Sequence, residues 1–118
     1  MQPGTSAGAI ERGTREKYSG AAYDPEHISH LPPERPEGFS DILLKLRIDT
    51  VRAMCTPSTR LLDVCCASGE HLLHLAGAVD TGVGVDFSQQ FVDAARRRAL
   101  ERAVPNAAFI HEIVRAHV

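Results

Sequence analysis

The stretch that most constrains this chain is residues 61–69, LLDVCCASG. Its first residues have the pattern of a buried parallel strand, and the small residues after them break that pattern as a tight turn does. From residue 70 to residue 78 apolar side chains recur at helical spacing, so the turn opens onto a helix whose first N–H groups have no partner within the helix. This order predicts a ligand-binding turn at the end of a central strand.

A second apolar run, residues 83–85, leads to Asp86 and predicts a strand over residues 83–87. Asp86 follows the start of the turn by about twenty residues, where the acid of a βαβ unit meets the ribose hydroxyls of a nucleotide-type ligand. A carboxylate suits a vicinal diol because its two oxygens only accept hydrogen bonds. The two strands and this acid therefore predict one pocket.

Two longer helices are predicted on either side of this unit. Ser40 is the expected N-cap of a helix that ends near Cys55 and covers the sheet. Its inward face consists of apolar residues at helical spacing: Leu44, Ile48, Val51 and Cys55. Ser88 is the expected N-cap of a second helix that ends near Ala103, with Arg96, Arg97 and Arg98 on its solvated outer side. Its expected inward residues are Phe91, Val92, Ala95, Ala99 and Leu100.

Residues 107–114 read as a third strand, so strands and helices alternate and predict a parallel α/β sheet with right-handed crossovers. Residues 1–38 are rich in Gly, Pro, Ser, Glu and Arg and are expected to form a flexible arm or lid. The folded domain is expected over residues 39–118.

Composition limits the function classes. A net charge of -2 gives no electrostatic attraction to nucleic acid or to an anionic membrane. No long apolar span or secretion signal is present, so a cytoplasmic protein is expected. The three cysteines include an adjacent pair, Cys65 and Cys66, and suit a reducing compartment.

Other chemistries fit these residues less well. Cys65 and Cys66 read as packing residues rather than as nucleophiles or metal ligands. Two histidine pairs share a spacing of three, His71 with His74 and His27 with His30, but neither pair has the second ligand pair that a metal site requires. We therefore expect no metal, and an NAD site is disfavoured because its glycine pattern is absent.

The segments LLDVCCASGEHLLHLA and GVDFSQQFVDAARRRA resemble the front half of class I S-adenosylmethionine-dependent methyltransferases. The family turn reads acid-x-Gly-x-Gly-x-Gly, and Asp63, Cys65, Ala67 and Gly69 stand at its four defining positions. The resemblance implies a Rossmann-like parallel sheet with flanking helices, here cut short after the third strand. It also implies S-adenosylmethionine as cofactor.

The resemblance further implies a role for each residue of the pocket. Asp63 would bind the methionine end of the cofactor, and Gly69 would let the backbone approach it closely. Asp86 would accept hydrogen bonds from the ribose hydroxyls, and Phe87 would border the adenine. The acid that the family places after its third strand has no counterpart in residues 112–114.

The function expected from the resemblance is methyl transfer to an unidentified acceptor, expected to be a small molecule. The catalytic residues stay unassigned, and the chain alone is expected to be inactive because family acceptor sites use later strands. The alternative is a non-catalytic remnant that associates with itself or a partner chain through an exposed sheet edge.

Overall fold

The computed structural model describes residues 35–112, which form a three-stranded sheet with three α-helices. In chain order the elements are α1 (Phe39–Met54), β1 (Arg60–Val64), α2 (Glu70–Leu75), a 3₁₀ turn (Ala76–Ala78), β2 (Thr81–Asp86), α3 (Gln89–Glu101) and β3 (Ala107–His111). Residues 1–34, which hold most of the predicted arm, and residues 113–118 lie outside this range.

The sheet is parallel and its strands lie in the order β1-β2-β3, as two successive βαβ crossovers require. The register places Asp63 beside Gly84 and Gly84 beside Phe109, so these three residues share one face of the sheet. All three strands therefore end at the same edge, where the turns after β1 and β2 meet. The predicted Rossmann-like fold with flanking helices is confirmed.

The core lies between this face and helices α2 and α3. It is a contiguous cluster of buried side chains: Cys66, Leu72, Leu73, Val92, Ala95, Ala99 and Phe109. Phe109 occupies space that two glycines leave open, since a Cβ at Gly69 would lie 2.6 Å from its ring and one at Gly84 would lie 2.7 Å from it. The ring thereby fixes the distance between β2, β3 and the start of α2.

Helix α1 begins earlier than predicted. Its N-cap is Gly38, and Ser40 lies inside the helix with no capping role. The Glu37 N–H already donates to the Asp41 carboxylate at 3.0 Å, so the chain enters the first turn before Ser40 is reached. The apolar stripe is confirmed, because Ile48 is buried and Leu44, Val51 and Cys55 are half-buried.

The predicted helix over residues 70–78 is shorter than expected. The α-helix ends at Leu75, and the next three residues form a 3₁₀ turn in which the Val79 N–H donates to the Ala76 carbonyl. The Asn106 side-chain amide donates to the carbonyls of Ala76, Val79 and Asp80 at 2.9 to 3.3 Å. Asn106 thus satisfies carbonyls that the end of a helix leaves without a partner.

Helix α3 is capped by Ser88 as predicted, through an Oγ that accepts from the Phe91 N–H at 3.3 Å. It ends at Glu101 rather than near Ala103, since Ala103 takes a left-handed conformation and the Val104 N–H returns to the Ala99 carbonyl. The prediction that Leu100 faces inward is wrong: its side chain is 83% exposed.

The arginines of α3 depart only in part from the predicted solvated face. Arg96 donates twice to the Phe109 carbonyl, at 3.1 and 2.8 Å, and the Arg98 side chain is only 12% exposed. Arg96 and Arg97 are nonetheless exposed, as predicted, and Arg97 is paired with Glu101 at 3.8 Å. The prediction is wrong for Arg98, which contacts Ser68 and Glu70 instead of solvent.

The strand ends differ by a few residues from those predicted. Strand β2 begins at Thr81 because Thr81 and Gly82 already pair with Arg60 and Leu61. It ends at Asp86, one residue before the predicted end. Strand β3 ends at His111, whereas its predicted end at residue 114 lies outside the described residues.

The second face of the sheet is largely uncovered among the described residues. Leu62, Val64 and Ile110 lie on it and are 62%, 49% and 46% exposed. None of the helices within residues 35–112 is long and apolar enough to cross a membrane.

Truncating Phe109 should destabilise the fold strongly, because its ring fills the space over two glycines. We expect Phe109→Ala to lower the free energy of unfolding by about 3 to 5 kcal/mol, measured by urea unfolding. The neighbouring Ile110→Ala, on the uncovered face, is the matched control and should change it by less than about 1 kcal/mol. Equal effects of the two substitutions would contradict the packing described for Phe109.

Candidate functional site

The turn between β1 and α2 has an unusual backbone. Cys65, Ala67 and Gly69 all adopt positive φ, at 61°, 48° and 77°. These are the three positions where the resemblance expects glycine, and only the last is one. For a residue with a Cβ, this left-handed conformation costs about 1 to 2 kcal/mol. The turn therefore keeps a glycine-type path although two of its residues disfavour it.

The Asp86 side chain joins the two turns that follow the carboxyl ends of β1 and β2. Its Oδ2 accepts from the Ala67 N–H at 2.9 Å, and its Oδ1 accepts from the Ser88 N–H at 2.9 Å. The Cys66 N–H donates to the Val85 carbonyl at 3.0 Å beside this contact. Asp86 is 5% exposed, so its carboxylate is a buried link between the β1–α2 turn and the start of α3.

A cavity of about 350 Å³ opens at the carboxyl end of β1. Three predicted site residues line it, namely Asp63, Cys65 and Ala67. Asp86 lies behind the turn, in contact with Ala67. Gly69 and Phe87 are not among the lining residues, so the structure brings the predicted set together only in part.

Gly69 has a packing role in the structure. A Cβ added at Gly69 would lie 2.6 Å from the Phe109 ring and 2.9 Å from the Ala95 Cβ. The start of α2 therefore approaches β3 and α3 closely. The Gly69 N–H donates to the Cys66 carbonyl at 2.9 Å and closes the turn.

Phe87 follows directly after β2 and is half-buried. Its carbonyl accepts a hydrogen bond from His111 Nε2 at 2.8 Å. This contact joins the segment after β2 to the end of β3.

The lining of the cavity is electrostatically mixed. Burial raises the pKa of the Asp63 carboxyl, and the nearby Asp86 adds to the rise while His71 opposes it. Arg47 from α1 and His71 from α2 line the same cavity. Neither was predicted as a site residue, and neither was Glu70, a second carboxylate that lines the cavity. For Arg47, the signal in the sequence was its position directly before Ile48 of the apolar stripe.

The two adjacent cysteines have different environments. Cys66 is buried in the core, and burial, together with the carboxylates of Asp86 and Asp63, raises the pKa of its thiol to about 12. Cys66 is therefore a protonated packing residue at neutral pH, as predicted. Cys65 is exposed and lines the cavity, so the prediction that it is a packing residue is wrong. Within residues 35–112, no three His, Cys, Asp or Glu side chains converge as metal ligands.

The family described as "Methyltransferase domain" matches residues 61–117. No curated protein is a significant match to this sequence. The family match begins in β1, at the strand that leads into the turn, and includes the candidate site except for Arg47 of α1.

Solved structures are similar over the same region. An S-adenosylmethionine-dependent methyltransferase from Geobacter sulfurreducens, in complex with S-adenosylhomocysteine, is 33% identical with a TM-score of 0.53, over 75% of this chain and 34% of that one. Another from Thiobacillus denitrificans, also in complex with S-adenosylhomocysteine, is 29% identical with a TM-score of 0.56, over 79% and 36%. Magnesium protoporphyrin IX methyltransferase from Synechocystis shares the fold at 18% identity, with a TM-score of 0.66 over 86% and 53%. The chain thus spans at most about half the length of these structures.

Glycine at position 67 should relieve the strain of the turn. We expect Ala67→Gly to raise the free energy of unfolding by up to about 1 kcal/mol, because relief of the left-handed conformation exceeds the added entropy of the unfolded chain. Ala103→Gly, at another left-handed position, should act in the same direction. Ala94→Gly, inside α3, should instead destabilise by about 1 kcal/mol or more. Chemical unfolding measures all three, and a destabilising Ala67→Gly would contradict the strain.

Alkylation should distinguish the exposed Cys65 from the buried Cys66 by their rates of modification. We expect iodoacetamide at pH 8.5 to modify Cys65 in the folded chain and to leave Cys66 unmodified, as read by peptide mass spectrometry. The folded chain keeps the Cys66 proton at a pH where the unfolded chain releases it. The free energy of unfolding should therefore fall as the pH rises above the ordinary thiol pKa of about 8.5. Rapid modification of Cys66 in the folded chain would contradict its burial.

Proposed function

We propose that this chain binds S-adenosylmethionine over the β1–α2 turn, because residues 61–117 match the methyltransferase-domain family and similar solved structures are S-adenosylmethionine-dependent methyltransferases in complex with S-adenosylhomocysteine. The observation that carries the proposal is the backbone of that turn. It keeps the left-handed conformation at Cys65, Ala67 and Gly69, beside a cavity lined by an acid. Strain of this kind persists where the surroundings hold it, and it often marks a binding site.

The dimensions and donor set of the cavity are suited to this cofactor. A volume of about 350 Å³ is within the range of small-molecule sites. The lining combines two acids, Asp63 and Glu70, with the cation Arg47. The Glu70 carboxylate is already paired with two arginines of the α3 segment, Arg98 and Arg102. The methionine end of the cofactor carries an ammonium and a carboxylate, so the charges of Asp63 and Arg47 are complementary to it.

We assign Asp63 to the ammonium and Arg47 to the carboxylate of the methionine end. Burial raises the pKa of Asp63, which means that its charged form lacks full hydration. A cationic ligand offsets this cost, whereas an anionic ligand would increase it. Cys65 and Ala67 present small side chains beside these groups, so the backbone of the turn can approach the ligand.

The ribose is assigned to Asp86 and the edge of the adenine to Phe87. Each oxygen of the Asp86 carboxylate accepts one backbone N–H, which leaves one lone pair on each for a hydroxyl. Asp86 therefore has two functions in this proposal, since it fixes the turn and offers its remaining lone pairs to the diol. Gly69 contributes through close packing of α2.

The proposed reaction is methyl transfer to an acceptor whose identity is open, with a small molecule favoured. The sulfonium of the bound cofactor supplies the activated methyl group. The residues of this chain hold and orient the cofactor, and proximity to an aligned acceptor supplies much of the catalysis. We assign no residue within 35–112 as a general base.

A non-catalytic interaction module is the second candidate function. The observation that favours it is the uncovered apolar sheet face around Leu62, Val64 and Ile110. Such a face favours association with another apolar surface, including a second copy of the chain.

Removing the charge of Asp63 should weaken cofactor binding. We expect Asp63→Asn to raise the Kd for S-adenosylhomocysteine about 10- to 100-fold, the contribution of a hydrogen bond to a charged group, as measured by calorimetry. Affinity should also fall with decreasing pH, and the fall should begin at a higher pH than for an ordinary aspartate, because the pKa of Asp63 is raised.

Asp93→Asn is the matched control, since the Asp93 carboxylate contacts only Gln89 among the hydrogen bonds described and lies on the exposed side of α3. It should leave the Kd unchanged. An Asp63→Asn variant with wild-type affinity would overturn the assignment of Asp63. A wild-type chain that does not bind S-adenosylhomocysteine would overturn the proposed function and favour the interaction module.

A further inference from the structure

Glu70 is the first residue of α2 and directly follows the strained turn. Its side chain is only 8% exposed, although it carries a charge. A buried carboxylate without partners is strongly destabilising, so its environment must supply compensating charge and hydrogen bonds.

Both partners of Glu70 come from α3. Arg102, the C-cap of that helix, forms a fork with the carboxylate, at 3.1 Å to Oε2 and 3.0 Å to Oε1. Arg98 Nη1 lies 3.1 Å from Oε1. Paired N–H bonds of this kind fix orientation as well as charge.

Arg98 also contacts the turn itself. The same Nη1 lies 3.4 Å from the Ser68 carbonyl and donates to it. One guanidinium thus holds the residue before Gly69 and the residue after it. On the opposite side of the turn, Asp86 holds the Ala67 N–H.

The placement of these contacts explains how the turn keeps a conformation that Cys65 and Ala67 disfavour. Neither residue has the freedom of glycine, so the left-handed backbone must be imposed from outside. Asp86 fixes the middle of the strained segment at Ala67, and the ion-paired cluster fixes its end at Ser68 and Glu70. Helix α3 therefore contributes to the shape of a turn that is distant from it in sequence.

We propose that Glu70, Arg98 and Arg102 are positioning residues, which hold the β1–α2 turn in the conformation that binds the cofactor. The expected effect of these residues on cofactor binding rests on the proposed function. The contacts of the three residues with the turn are independent of that function.

The first test compares Arg98→Gln with Arg97→Gln in the full 118-residue chain. Arg97 is the adjacent residue of α3, and its side chain is 48% exposed. We expect Arg98→Gln to raise the Kd for S-adenosylhomocysteine about tenfold. It should also accelerate amide hydrogen exchange across residues 65–70, with the exchange of β2 unchanged. Arg97→Gln should change neither.

Two rescue variants separate positioning from general stability. Arg98→Lys retains the cation and should recover part of the lost affinity. Combining Arg98→Gln with Cys65→Gly and Ala67→Gly should recover more, because glycines adopt the left-handed backbone without being held in it. A merely stabilising ion pair predicts no such recovery of the Kd.

The outcomes are distinct. Unchanged exchange across residues 65–70 in both Arg98→Gln and Arg98→Lys would overturn the positioning role, even if the chain were less stable. Wild-type affinity in a folded Arg98→Gln variant would overturn it as well. If the wild-type chain binds no S-adenosylhomocysteine, the proposed function fails, and the exchange measurement still decides whether Arg98 holds the turn.

Discussion

The buried carboxylate of Asp86 is the interaction on which the rest of the site depends. It stands at the end of the central strand and accepts one N–H from the turn after β1 and one from the turn after β2. Without it, the half-buried Ala67 N–H and the buried Ser88 N–H would lose their partner, at a cost of about 1 to 3 kcal/mol for a buried group. Because both turns meet at this one side chain, the cavity beside β1 and the N-terminus of α3 form a single unit.

The turn is held between this carboxylate and the core. Phe109 fills the space beside Gly69 and Gly84, and so sets how closely α2 approaches the sheet. The close approach brings Glu70 within reach of Arg98 and Arg102. Packing, charge and backbone conformation are therefore coupled in the same few residues, and a change at one of them is expected to alter the others.

The sheet has two unlike faces among the described residues. One carries the core and the helices, whereas the other presents Leu62, Val64 and Ile110 to solvent. The similar solved structures extend well beyond the part that this chain matches. The site at the carboxyl ends of β1 and β2 is built mainly on the covered face and its turns, and Val64 of the second face also lines the cavity.

The sequence by itself determined the order of strands and helices, the Ser88 cap, the apolar stripe of α1 and the position of the turn, because these depend on local periodicity and short-range hydrogen bonds. The ends of α1 and α3, the exposure of Leu100 and the burial of Arg98 were not predictable in this way. They depend on contacts between residues distant in the chain, such as Arg98 with Ser68 and Glu70. Tertiary structure alone decided that Cys65 and Ala67 adopt a glycine-type backbone, because their own preference opposes it and only the surrounding contacts impose it.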